Sequence, residues 1–460
     1  MAEYHVENFG CRASRSDGEA IAASLRLRGL EPARSPATTD VFILNTCSVT
    51  AEADRSARAF LRRIRRSNPN ARVIVTGCYA QRAPEEVATL AGVDAVVGNS
   101  HKALVADAAL QLIAPEQAVQ AGFVPLKALT QSILVDEFFA HTDLATLPFA
   151  ADAHQTRPNL KAQDGCGNRC SFCIIPTTRG PSRSISLEAC VDNAQRFVDA
   201  GGKELVLSGI NLGRWGRDLA TAQRFEDLVA AILTRTRLPR LRLSSIEPMD
   251  WTPGLLDLFR QYATGSNPRL ARHAHLPLQS GSDTILRRMH RRYRPWHYAE
   301  RLAQIRTLMP QCGIGADVMV GFPEETDALF AESYHFIEQQ PFSYLHLFPF
   351  SARPGTPAWE LHRSDPVPAT AVSERIAALR ALMDAKSRAF RQQFVGKQLS
   401  VVTLQPGLEA GKEAESEPTS PSLADNFLKI SLDRRLAPNL LLNVQVTAVT
   451  EAGLAATCAT

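Results

Sequence analysis

Asp164-Gly165-Cys166-Gly167-Asn168-Arg169-Cys170-Ser171-Phe172-Cys173 sets three cysteines in C-x3-C-x2-C spacing, with an aromatic residue before the last. Four thiolates close a 4Fe–4S cube, and three leave one iron open to a substrate or cofactor. An open iron is a place for chemistry, not merely for electron storage. Structural zinc is the alternative, but zinc normally takes four ligands, commonly as paired C-x2-C knuckles. No second pair and no ligating histidine follows nearby, so the stretch reads as an iron–sulfur loop.

Toward the N-terminus, Val41-Phe42-Ile43-Leu44 reads as a buried strand ending in Asn45-Thr46-Cys47. Arg72-Val73-Ile74-Val75 reads as another, ending in Thr76-Gly77-Cys78, and the segment from Tyr4 leads to Phe9-Gly10-Cys11. Helical patterns around Glu19 to Leu27 and Ala53 to Arg66 separate them. Strand–helix alternation predicts a doubly wound parallel sheet, in which ligands gather at the carboxyl ends of strands. Cys11, Cys47 and Cys78 all fall at such ends. They either converge on one site or are three unrelated buried thiols, and spacing alone leaves both open.

Toward the C-terminus, strand-like runs recur. They are Val206-Leu207-Ser208, Leu241-Arg242-Leu243-Ser244, His273-Ala274-His275-Leu276, Ala316-Asp317-Val318-Met319-Val320 and Tyr344-Leu345-His346-Leu347-Phe348. Amphipathic stretches such as Phe225 to Leu233 and Ala328 to Gln339 lie between them. Repeated strand–helix units predict a parallel barrel with its site at the carboxyl ends of the strands. The fold class is therefore α/β. His273, His275 and His346 alternate with apolar residues and read as satisfied core or rim histidines rather than metal ligands. Asp317 and Glu247 read as hydrogen-bonding rim carboxylates rather than an acid–base pair.

A chain of 460 residues, 45% hydrophobic, suits about three domains. The opening MAEYHVENFG has neither a basic start nor an apolar core, so no secretory signal is expected. No apolar run is long enough to span a bilayer. Nine unevenly scattered cysteines argue against a disulfide framework and for a reducing, cytoplasmic setting. A net charge of +4 does not by itself demand nucleic acid.

The order Gly10-Cys11, Asn45-Thr46-Cys47 and Thr76-Gly77-Cys78-Tyr79-Ala80-Gln81, followed by Cys166, Cys170 and Cys173, resembles the methylthiotransferase family of radical S-adenosylmethionine enzymes. The resemblance covers nearly the whole chain. It implies two 4Fe–4S clusters. At the radical cluster the open iron chelates S-adenosylmethionine, and an electron releases a 5′-deoxyadenosyl radical. The auxiliary cluster at Cys11, Cys47 and Cys78 supplies sulfur, which a second S-adenosylmethionine methylates. The barrel becomes the open six-unit barrel of the superfamily. Its cofactor rim takes Phe172 toward the adenine, Ser208 and Gly209 near the amino group, Ser244 and Glu247 on the ribose side, then Gln279 and Val320. Two departures stand out: Arg12-Ala13-Ser14 after Cys11, and Glu324 in Gly321-Phe322-Pro323-Glu324-Glu325-Thr326, where the family carries glycine. Either that loop has a different backbone or the glycine is not needed for its conformation.

Within the family, His275-Leu276-Pro277-Leu278-Gln279-Ser280-Gly281-Ser282, Met289-His290-Arg291-Arg292-Tyr293 and Phe348-Pro349-Phe350-Ser351-Ala352-Arg353-Pro354-Gly355-Thr356 are closest to the branch acting on N6-threonylcarbamoyladenosine of tRNA. The isopentenyladenosine branch and the branch acting on a ribosomal-protein aspartate follow. A non-catalytic iron–sulfur RNA-binding protein is the reading from another class. The implied partners are the tRNA anticodon stem-loop and an electron donor such as flavodoxin or ferredoxin, with no membrane and a monomeric chain.

Two arginine-rich stretches agree with a polyanionic partner, because arginine fits phosphate bidentately. Arg55, Arg58, Arg62, Arg65 and Arg66 share one helix face, opposite Ala57, Phe60, Leu61 and Ile64. The second is Arg287 to Arg294. After a long helical pattern from Ser373 to about Phe394, short alternating runs predict a small β-barrel similar to the family's RNA-binding TRAM domain. These are Leu399 to Leu404, Asn426 to Leu432, Leu442 to Val449 and Leu454 to Thr457, with Glu409 to Pro421 as a mobile loop. The expected domains are 1–115 with the auxiliary cluster, a linker over 116–150, the radical barrel over 151–392, and the TRAM-like domain over 393–460. Cys190, Cys312 and Cys458 read as structural.

Overall fold

Short runs bounded by polar residues and glycine, rich in Val and Ile toward the middle of the sheet, build six strands in the N-terminal region. They are β1 (Glu3–Asn8), β2 (Glu31–Pro32), β3 (Val41–Thr46), β4 (Arg72–Gly77), β5 (Ala95–Gly98) and β6 (Ser132–Leu134). Their order is β2-β1-β3-β4-β5-β6, and every pair is parallel. Alternation along β3 and β4 sends Ile43 and Ile74 into one core, and Phe42, Leu44, Val73 and Val75 into the other. Helix α1 (Arg12–Leu27) brings Ile21 and Leu25 to the first core; α2 (Ala51–Ser67) brings Leu61 and Ile64 to the second. The sheet is thus covered on both faces, as continuous apolar strands require.

The structure, a computed structural model, describes residues 2–113, 132–136, 139, 156–265, 268–405 and 419–458. Most of the linker expected over 116–150 and most of the loop expected from Glu409 to Pro421 lie outside them. β6 comes from that linker stretch and joins the sheet instead. The chain divides into two units. The first comprises Met1–Ala150, Gln163–Ser186 and Ser351–Trp359; the second comprises Ala151–Ala162, Leu187–Phe350 and Glu360–Thr460.

In the second unit β7 (Asn159–Asp164) begins beside β9 (Glu204–Gly209), which pairs with β10 (Arg240–Leu243); β7 ends in the first unit, paired with β8 (Arg183–Ser184). A bridge between Leu241 and Leu270 leads on to β11 (His273–His275), β12 (Gly313–Val320) and β13 (Tyr344–Pro349), all parallel. Among the described residues no pairing returns from β13 to β7, so the six-strand barrel is open.

The chain ends in a closed antiparallel-rich barrel of β14 (Gln398–Thr403), β15 (Ser420–Ala424), β16 (Lys429–Leu432), β17 (Leu441–Val449) and β18 (Leu454–Cys458), in the order β14-β15-β16-β18-β17. β15 corrects the loop reading at Ser420 and Pro421. Proline has no N–H to donate, yet the Pro421 carbonyl still accepts from Leu404 N at 2.8 Å. This small barrel seats on the amino ends of the large barrel's strands. Arg242 donates to the carbonyls of Ala424 (2.9 Å) and Asp425 (3.0 Å), and Arg272 forks onto the Asp425 carboxylate. Burial works to protonate Glu204, but Arg242, Arg157 and Arg240 around it hold its carboxyl well below the usual range. A Cβ on Gly313 would lie 2.0 Å from the Asn426 carbonyl oxygen, so only glycine allows this approach. Among the described residues no helix is long and apolar enough to cross a membrane.

Candidate iron–sulfur and cofactor site

β1, β3 and β4 are neighbours whose ends are level: Asn8 stands opposite Asn45, and Thr46 opposite Gly77. Cys11, Cys47 and Cys78 follow these ends. The structure brings the three cysteines together: a Cβ on Gly10, the residue before Cys11, would lie 2.4 Å from Cys47 Cβ, and burial, then the neighbouring Cys78 and Cys11, push the Cys47 thiol up to about 12. Gly10, at φ +108°, lets the Cys11 loop pass over Cys47; a Cβ there would sit 2.7 Å from Cys47 Sγ. Asn45 Nδ2 ties the strand ends together through Asn8 Oδ1 (2.9 Å). Asn99 Nδ2 donates to Cys78 Sγ at 3.4 Å. Cys47 and Cys78 are buried and Cys11 is exposed. Three thiols crowded together, with the ionisation of Cys47 disfavoured by the other two, suit a cationic iron cluster, which reverses that repulsion.

The radical triplet lies in the same unit. Its loop is closed by Cys166 N to Gly180 O and Cys173 N to Cys170 O, both 3.1 Å, and Asn168 N donates to Cys166 Sγ at 3.4 Å. All three cysteines are half-buried, reachable by a ligand at the surface of the loop. This donor set also fits a three-thiolate cube.

Between the triplets lies a buried ionic quartet that sequence reasoning missed. Lys102 Nζ contacts Asp17 (3.2 Å) and Asp164 (2.5 Å), and Arg179 Nη1 contacts the same two carboxylates at 3.0 and 2.9 Å. All four side chains are at most 2% exposed. Two cations and two anions balance, which is the condition for burying charge at all. Asp164 Oδ1 also accepts from Gly165 N at 2.8 Å, directly before Cys166. Burial disfavours the Arg179 cation, but Asp164, Cys78, Asp17 and Cys11 around it keep it charged. Asp17 precedes Gly18 inside a helical pattern and carries no local mark of this role. Asp54 forms a second hub: it accepts from Ser48, Arg82 and Arg353, the last at 2.8 Å. Arg353 of Arg-Pro-Gly-Thr therefore fixes the loop that follows Cys47.

The rim residues of the second unit stand at the strand ends. Ser208 is buried and donates to Leu160 O at 3.4 Å; Gly209 closes β9. Ser244 is buried with no partner for its hydroxyl. Gln279 is buried, has a left-handed backbone at φ +66°, and leaves Oε1 unpartnered. Such strain and unmet polarity collect at ligand sites. Val320 is buried and its carbonyl is taken by Phe350 N. Glu247 differs from its neighbours: both its oxygens accept from Arg291 Nη2, at 2.7 and 2.6 Å. In the first unit, Phe172 is half-buried within the cysteine loop.

The arginine stretches are less available than their sequence suggests. In α2, Arg65 turns inward onto the carbonyls of Gly92, Ala71 and Pro69 and onto Asp94. Arg55 pairs with Glu52 and Arg58 with Glu86. Arg62 and Arg66 remain exposed. In the second stretch Arg291 is buried, while Arg287 and Arg294 pair with Asp283 and Arg288 with Glu324. Arg292 remains exposed.

The Radical SAM superfamily profile matches residues 160–337, and that described as Uncharacterized protein family UPF0004 matches residues 3–98. The fold and the thiolate triplets define a radical S-adenosylmethionine enzyme. The Threonylcarbamoyladenosine tRNA methylthiotransferase MtaB of Bacillus subtilis (strain 168) is 36% identical over 94% of this chain and 90% of its own. The protein of the same name from Aquifex aeolicus (strain VF5) is 35% identical over 87% and 92%. The tRNA-2-methylthio-N(6)-dimethylallyladenosine synthase of Acidothermus cellulolyticus is 31% identical over 96% and 85%. The chain belongs to the methylthiotransferase family of radical S-adenosylmethionine enzymes. Its cofactors are S-adenosylmethionine and 4Fe–4S clusters. The radical S-adenosylmethionine methyltransferase TsrM from Kitasatospora setae shares the fold, with TM-score 0.53 at 15% identity over 78% of this chain and 77% of that one.

Proposed function

We propose that this chain is a tRNA methylthiotransferase adding a methylthio group at C2 of N6-threonylcarbamoyladenosine at tRNA position 37. The observation that carries it is the presence of two complete thiolate triplets in one unit, on either side of a buried charge-balanced quartet. Cys166, Cys170 and Cys173 hold one cluster; Cys11, Cys47 and Cys78 hold the other. When bound, the first group supplies radical hydrogen abstraction with S-adenosylmethionine, and the second supplies the sulfur that is methylated and transferred.

The protein's own part is binding and orientation. In the second unit Ser244 Oγ and Gln279 Oε1 offer polar atoms to the cofactor, with Ser208, Gly209 and Val320 shaping the rim. Glu247 acts through Arg291, which it fixes in place. Residues 393–460 and the exposed Arg62, Arg66 and Arg292 serve the anticodon stem-loop. Flavodoxin or ferredoxin supplies the electrons, and the chain works as a monomer in the cytoplasm.

The test is anaerobic turnover of reconstituted enzyme on three substrates: anticodon stem-loops bearing threonylcarbamoyladenosine or isopentenyladenosine, and a ribosomal protein. Mass spectrometry should find methylthiolation of the first. Product on the isopentenyl stem-loop alone overturns the substrate; product on the protein alone overturns tRNA as its class.

A further inference from the structure

β11, β12 and β13 lie side by side, and each contributes one polar side chain to a single spot: His275, Asp317 and His346. Asp317 stands opposite His346 in register. His275 stands opposite Gly315, whose missing side chain leaves room that the Tyr344 ring takes. One donor atom from each of the three residues lies within 4.8 Å of the other two.

Two hydrogen bonds explain part of the cluster. Asp317 Oδ1 is 3.2 Å from His346 Nδ1, and Ser245 Oγ is 2.7 Å from His275 Nδ1. They leave His275 Nε2, which faces the Asp317 carboxylate. It is buried without a hydrogen-bond partner and sits 3.5 Å from Asp317 Oδ1, on a residue only 5% exposed. Burial works to protonate Asp317, but His275 and His346 outweigh it and hold the carboxyl well below its usual range.

We propose that His275, Asp317 and His346 form a mononuclear site for a divalent transition metal, separate from both thiolate triplets. The tautomer required has Nδ1–H donating to Ser245 Oγ, which turns the His275 Nε2 lone pair toward the cluster. A ligating imidazole held at its other nitrogen is the common supporting arrangement in metal sites. Two imidazoles and one carboxylate suit zinc or ferrous iron, whereas magnesium and calcium prefer oxygen donors. Three protein ligands leave a position open, and the His346 side chain is 56% exposed, so that position is reachable from solvent.

Zinc is the probe, because its X-ray absorption edge is separate from that of iron. Holoenzyme with both clusters loaded is treated with zinc sulfate, desalted and analysed for metals. Wild type should retain about one zinc per chain, with nitrogen and oxygen neighbours at about 2.0–2.1 Å and imidazole scattering. His346→Ala and Asp317→Asn should each lower zinc affinity about tenfold or more, with iron content unchanged. His346 is exposed, so its alanine variant tests the site even if the half-buried Asp317 variant folds poorly. Absence of retained zinc, a sulfur shell at about 2.3 Å, or full retention by His346→Ala overturns the proposal.

Discussion

Glu324 takes a left-handed backbone, φ +65°, at the position where the family resemblance leads one to expect glycine. A backbone conformation that favours glycine is thus occupied by a glutamate. Arg288 clasps the residue, with Nε 3.0 Å from Glu324 Oε2 and Nη1 donating to the Glu324 carbonyl at 3.1 Å. The left-handed region costs a side-chain-bearing residue about 1–2 kcal/mol, and a half-exposed ion pair offsets at most about 1 kcal/mol of it. Comparing two variants isolates the backbone term, since both lose the ion pair. Glu324→Gly should be more stable than Glu324→Ala by about 1 kcal/mol in denaturant unfolding; equal stabilities would mean that this backbone is not strained. Gln279 shows the same limit of sequence reading. Its place in the rim was legible from its motif, but its positive φ was not, because nothing about glutamine signals it.

At the scale of an element, α2 shows how a helix can advertise more than it offers. Thr50 caps it, Glu52 and Asp54 occupy its first turn and Arg65 and Arg66 its last, all favourable to the helix dipole. Its apolar stripe packs on the sheet as the 3.6-residue period predicts. The arginine stripe is another matter. Periodicity places five arginines on one face, but Arg65 is long enough to fold onto the carbonyls of Pro69, Ala71 and Gly92. We therefore expect Arg62→Glu with Arg66→Glu to weaken tRNA binding and flatten its dependence on salt, by about the slope of two phosphate contacts, with both clusters intact. Arg65→Ala should instead lower the unfolding midpoint and leave that slope unchanged. Filter binding across a salt series, beside thermal unfolding, separates the two; equal slopes for wild type and the double variant would remove α2 from the RNA face.

For the whole molecule, two triplets require about eight irons per chain after anaerobic reconstitution, two cubes of four. Replacing Cys166, Cys170 and Cys173 with alanine should leave about four and a visible chromophore; complete loss of iron in that variant would show that the triplets are not independent sites. The sequence by itself determined the six thiols, the strands they follow and the α/β class. Strand ends and helix stripes are written in residue spacing over ten or twenty positions, so they survive without a structure. Only the tertiary structure decided which charges are spent inside. Arg179 meets Asp17 across 162 positions, and Arg353 meets Asp54 across 299. Such pairs are chosen by the packing that removes water from them, and an arginine looks the same in sequence whether it faces a phosphate or a buried carboxylate.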